Sequence, residues 1–125
     1  MLGTKGRMTQ IFTEDGVAHA ATVITAGPLT VTQAKTQDKD GYTATQVAFG
    51  TKSEKNLSKA VKGHFNGLGN FRYVREFTDT EAHEVGKKLD ISVFAPGDTV
   101  TVSAISKGKG FQGVVKRHGF KGGPR

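Results

Sequence analysis

Within the first fifty positions, short extended runs with apolar faces are separated by turn residues, and that pattern predicts strands. In Arg7-Met8-Thr9-Gln10-Ile11-Phe12-Thr13, Met8 and Phe12 share one strand face and Ile11 lies on the other. Glu14-Asp15-Gly16 supplies an Asp-Gly turn, and Val17 to Ala26 resumes an apolar-rich extended run, which together signal a hairpin. Gly27-Pro28 breaks that strand. A third strand is expected over Leu29 to Thr36, with Leu29, Val31 and Gln33 on one face. After the polar turn Asp38-Lys39-Asp40-Gly41, a fourth is expected over Tyr42 to Phe49. Four strands joined by short turns predict an antiparallel, mostly β domain, a barrel or a sandwich.

The pattern changes at Thr51. Lys52, Lys55, Lys59 and Lys62 recur at helical spacing, as do Leu57, Val61 and Phe65, so one helix with a lysine face and an apolar face is expected there. Such a lysine stripe is either a solvated face or a phosphate contact. Phe71 to Phe77 reads as a further strand, and Thr78 to Val85 as an acid-rich loop or a short irregular helix. Leu89, Ile91 and Val93 alternate with polar residues, and Ala95-Pro96-Gly97-Asp98 is a type II turn candidate. Val100, Val102 and Ala104 then alternate in a strand that leads into Ser106.

Composition narrows the class. The 125 residues suffice for one domain with one core, and twelve valines against five leucines favour strands. The absence of cysteine excludes a disulfide framework and thiolate metal ligands. With no membrane-length apolar run and no signal-peptide core after Met1, a soluble intracellular chain is expected.

The net charge of +7 is a local feature. Residues 106–125, SKGKGFQGVVKRHGFKGGPR, hold six of the eighteen bases (Lys107, Lys109, Lys116, Arg117, Lys121 and Arg125) and none of the eleven acids. A block of this kind marks a surface for a polyanion, with nucleic acid the first candidate. Its glycines let backbone approach a phosphate. The bland alternative is a solvated, disordered tail. Phe111, Val114 and Val115 at i, i+3, i+4 spacing speak instead for a short helix docking an apolar face. Gly108 to Gly113 also spells G-x-G-x-x-G, a dinucleotide-binding pattern, but no acid follows Asp98 to hold a ribose.

Catalytic constellations are absent from the pattern. His19, His64, His83 and His118 show no metal-ligand spacing. Asp38/Asp40 and Glu81/Glu84 lie in polar segments with nothing apolar nearby to raise a carboxyl pKa. Neither a phosphate-binding P-loop nor a nucleophile elbow occurs. No enzyme, cofactor, metal, membrane or small-molecule substrate is expected. The Asn56-Leu57-Ser58 sequon is set aside as unread in an intracellular chain.

Ser106-Lys107-Gly108-Lys109-Gly110-Phe111-Gln112-Gly113-Val114-Val115-Lys116-Arg117-His118-Gly119-Phe120 closely resembles a signature of the bacterial large-subunit ribosomal protein L-three family. Met8-Thr9-Gln10-Ile11-Phe12, Asp40-Gly41-Tyr42 leading to Gln46-Val47, and Lys62-Gly63-His64-Phe65 with Glu76-Phe77 are similar to the family in the same order. The resemblance implies a structural protein that binds large-subunit ribosomal RNA, supports subunit assembly, and lies in the cytoplasm beside neighbouring large-subunit proteins. It implies a β-barrel of the translation-protein type over 1–125, truncated relative to the family. A helical insertion would fall within 51–70, around Ser53 to Phe65, and residues 106–125 would form the root of a basic extension reaching toward the peptidyl transferase region. Carried over by position, Lys107, Lys109, Lys116, Arg117, His118, Lys121 and Arg125 become RNA contacts. Lys5, Arg7, Lys52, Lys55, Lys59, Lys62 and His64 are further candidates. The alternative is an autonomous nucleic-acid-binding β-barrel module outside the ribosome.

Overall fold

The computed structural model describes residues 1–78 and 83–123. The chain divides into two units, Met1–Ala95 and Pro96–Arg125. In the first, β1 (Gly3–Phe12) and β2 (Ala18–Ala26) form an antiparallel ribbon. The expected turn closes it: Gly16 takes a positive φ of 77°, and its N–H donates to Thr13 O at 2.9 Å. The register slips by one residue between Lys5 and Met8, a bulge at Gly6-Arg7. Met8, Ile11 and Phe12 are all exposed on this ribbon.

A second sheet has the order β5-β4-β3-β6, antiparallel throughout. Its strands are β3 (Leu29–Lys35), β4 (Ala44–Thr51), β5 (Phe71–Phe77) and the two-residue β6 (Lys88–Leu89). The polar segment between β3 and β4 folds as one helical turn, α1 (Gln37–Asp40), ended by Gly41 at φ 79°. Leu29, Val31 and Val47 form the core, with Leu2, Phe49 and Leu89 packed against them. Burying each of the three contributes about 1.5–3 kcal/mol. Together the strands make a ribbon and an open four-stranded sheet. The mostly β, antiparallel expectation holds, but no closed barrel forms among the described residues.

The predicted face of β3 needs correction. Val31 pairs with Val47, but Gln33 pairs with Gln46, so Thr32 is an extra residue and the alternation reverses there. Leu29 and Val31 stay on the core face, whereas Gln33 and Lys35 share the opposite face with Gln46 and Glu76.

Three predicted elements also differ. The single helix after Thr51 is broken in two, a 3-10 turn at Glu54–Asn56 and the seven-residue α2 (Lys59–Phe65). Leu57 between them is extended, and Ser58 caps α2 by accepting the Val61 N–H at 3.4 Å, so a local cap overrides the long periodicity. The alternation from Leu89 to Val93 turns into a 3-10 turn at Ile91–Val93, because Asp90 Oδ1 accepts the Ile91 N–H at 2.8 Å. In the second unit, Val100, Val102 and Ala104 pair with nothing and form no strand, since alternation without a ladder partner leaves backbone to water. Part of the acid-rich stretch, residues 79–82, lies outside the described residues.

Candidate nucleic-acid interface

The basic block occupies most of the second unit. Residues 98–110 are irregular and exposed, and the block's only helix among the described residues is the five-residue α3 (Val114–His118). Gly113 stands at its N-cap and Gly119 ends it at φ 66°, a left-handed conformation that suits glycine. Lys116, Arg117 and His118 fall in its last turn, where the carbonyl end of the helix favours positive charge. The helix is present as expected; within its unit Phe111 is fully exposed, and Val114 and Val115 are exposed beside it. The His118 and Phe120 rings lie 5.7 Å apart at 38°.

Lys107, Lys109, Lys116, Arg117 and Lys121 are all exposed. None has a carboxylate partner among the described residues, as expected of a block containing no acid. Arg125 lies outside the described residues. The charge of the block thus stays open to solvent, on a backbone unburdened by side chains at Gly108, Gly110, Gly113 and Gly119, where a Cβ would meet nothing within 4 Å.

The secondary candidates are scattered over the first unit. Lys5 and Arg7 flank the bulge of β1. Lys52 ends the β4 ladder, its N–H donating to Asn70 O at 2.9 Å, and Lys55 sits in the 3-10 turn. Lys59 and Lys62 share α2, but Lys62 Nζ is paired with Glu54 at 2.9 Å, which holds that carboxyl below its ordinary pKa. The lysine stripe is thus not one continuous surface.

His64 has a structural engagement. Its Nε2 lies 2.7 Å from Gln46 Oε1, which also accepts the Thr32 hydroxyl at 2.8 Å, while Gln46 Nε2 donates to Glu76 Oε1 at 3.1 Å. Glu76 further accepts from Tyr42 Oη at 2.8 Å and pairs with Lys35 Nζ at 3.0 Å. These partners, Lys35 foremost, lower the Glu76 pKa, and the hydrogen bonds with Tyr42 and Glu76 raise that of Lys35. Beside the network Phe65 is buried, edge-on to Phe71 at 5.3 Å. Among the described residues no three His, Cys, Asp or Glu side chains gather where a metal could bind.

Sequence reasoning passed over Arg72, Tyr73 and Arg75. The sequence shows two arginines flanking Tyr73 within a strand, but not that all three are exposed.

The family described as Ribosomal protein L3 matches residues 5–125. This chain belongs to that family. It is 49% identical to the large ribosomal subunit protein uL3 of Herpetosiphon aurantiacus, over 99% of this chain and 60% of that protein. It is 50% identical to the uL3 of Carboxydothermus hydrogenoformans, over 99% of this chain and 61% of that protein. The chain therefore spans about three fifths of the length of these relatives. Ribosomal protein L3 is a structural family of the large subunit, not an enzyme family. Among the described residues no helix is long and apolar enough to cross a membrane.

Proposed function

We propose that this chain is a cytoplasmic, ribosome-associated structural constituent of the large subunit, that it binds large-subunit ribosomal RNA through residues 106–125, and that it supports subunit assembly beside neighbouring ribosomal proteins near the peptidyl transferase region. The observation that carries this reading is the open, unneutralised charge of Lys107, Lys109, Lys116, Arg117 and Lys121 on a glycine-rich backbone. Membership of a ribosomal family selects ribosomal RNA among polyanions. In this reading residues 51–70 are a helical insertion in a barrel-like domain, and 106–125 are the root of an extension. Closure of the barrel would in this reading cover the exposed apolar side chains of β1.

Titration against RNA over a range of potassium concentrations tests the reading. Each phosphate neutralised contributes roughly 0.7 to 0.9 to the slope of log affinity against log salt, so six engaged bases give a slope on the order of four to five. Changing Lys107, Lys109, Lys116, Arg117, Lys121 and Arg125 to Gln removes most of that slope and keeps the circular dichroism spectrum. Equal slopes for the two proteins refute it.

A further inference from the structure

The outer edge of β5 carries a second constellation suited to nucleic acid. No strand pairs outside β5 among the described residues. Arg72, Tyr73 and Arg75 are exposed on it, and the Arg72 guanidinium lies over the Tyr73 ring, 5.3 Å from its centroid. Gly50 lies against this arrangement at ordinary contact distance. It sits at φ 71° on the neighbouring strand, and a Cβ there would stand 3.7 Å from both Arg72 Cβ and the Tyr73 ring. An arginine side chain beside an exposed aromatic ring is a surface on which an unstacked base can itself stack.

Charge separates this edge from an ordinary sheet edge. The one acid on β5, Glu76, has its carboxylate taken by Lys35, Tyr42 and Gln46. It therefore neutralises neither arginine, and neither has a carboxylate partner among the described residues. Arg75 makes one bond, from Nη1 to its neighbour's carbonyl, Val74 O, at 2.8 Å, which leaves its remaining donors for a ligand. Lys52 adds a further cation at the end of the same ladder.

We infer that the β5 edge is a single-strand RNA contact, in which an unpaired base stacks on the Arg72–Tyr73 pair and Arg75 takes the adjacent phosphate. The inference rests on the reading of the chain as an RNA-binding protein, and adds a contact that recognises unpaired bases, not helical phosphate alone.

Variants of the 125-residue chain, Arg72→Lys, Tyr73→Leu, Tyr73→Phe and Arg75→Gln, titrated against a mixed-sequence single-stranded RNA 12-mer and against its duplex, provide the test. Arg72→Lys keeps the charge and loses the planar group. It and Tyr73→Leu should each weaken single-strand binding about tenfold, within the span of one base stack, and leave duplex binding within about twofold. Tyr73→Phe should bind as the parent does. Arg75→Gln should lower the single-strand salt slope by about 0.7. Unchanged single-strand affinity in Arg72→Lys overturns the inference and leaves the open edge of β5 to strand addition by a protein neighbour. An equal loss on single strand and duplex also overturns it. The variant with residues 107–125 neutralised tests the underlying reading separately: if it loses affinity while Arg72→Lys does not, only the β5 inference falls, and if the parent chain binds neither RNA, both fall.

Discussion

The Nε2 of His64 donates to Oε1 of Gln46 across 2.7 Å, and this bond ties α2 to the inner strand β4 of the larger sheet. The amide orientation follows from its other partner. Glu76 can only accept, so Gln46 turns its NH2 group to the carboxylate and its oxygen to His64 and Thr32. Replacing Gln46 with Leu strips three polar groups of a partner at once. The expected loss is about 1–3 kcal/mol, the cost of leaving a buried polar group unpaired, read as a lower urea midpoint.

Phe65 fixes the same helix from the apolar side. It is buried and edge-on to Phe71, so Phe65→Ala should cost at least as much as the Gln46 change, about 3 kcal/mol or more. Urea titration followed by far-ultraviolet circular dichroism measures it. A loss below about 1 kcal/mol would show that α2 is not anchored through this ring.

Glu76 gives the sheet an acid limb. Its pKa is lowered in the folded protein by Lys35, Tyr42 and Gln46, so the stability it contributes is complete above the unfolded carboxyl value of about 4.3 and is lost as pH falls through its folded value. Lys35 is shifted the other way, and its share is lost only in strong alkali, above its unfolded value. Urea midpoints between pH 6 and pH 3 should therefore fall more steeply for the parent than for Glu76→Gln. Parallel curves would mean that the network adds nothing to folding.

Lys52, Lys55, Lys59 and Lys62 are divided between a strand end, a 3-10 turn and α2, and Lys62 is already paired with Glu54. Changing all four to Gln should weaken RNA binding less than tenfold at moderate salt. It should also lower the salt slope by less than the change in residues 107–125 does, in the same potassium titrations.

The β1–β2 ribbon exposes Met8, Ile11 and Phe12, and unpaired strand edges with apolar side chains invite association. Purified without RNA, the chain should sediment as oligomers or melt over a broad range, and Met8→Lys with Phe12→Lys should shift it toward monomer. A sharp two-state melt from a clean monomer would count against this.

Local signals carried much of the fold into the sequence. The Asp15-Gly16 hairpin, strands β3 to β5 and the glycine-capped helix at 114–118 were all legible as alternation, helical spacing and turn chemistry. What the pattern could not supply was partnership. Val100 to Ala104 alternates as a strand does yet finds no ladder among the described residues. The basic block was plain from charge alone. The β5 edge was not, because whether an arginine is free depends on which carboxylates its neighbours have taken, and Glu76 is taken by residues 30 and more positions away in sequence.

Thr32 acts on β3 as an inserted letter acts on a reading frame. Up to Val31 the strand delivers its apolar side chains to the core, and beyond the extra residue it delivers Lys35 to Glu76 on the opposite face. Deleting Thr32 itself would only straighten the strand and leave Gln33 and Lys35 in their present pairings, whereas deleting Ala34 would send Lys35 to the core side, away from its carboxylate. A deletion at the Glu14–Gly16 turn of the ribbon would alter only a loop. Tolerance to length change in this chain is therefore set by strand phase as well as by burial, and in β3 it depends on which residue is lost: Thr32 can go without a change of face, Ala34 cannot.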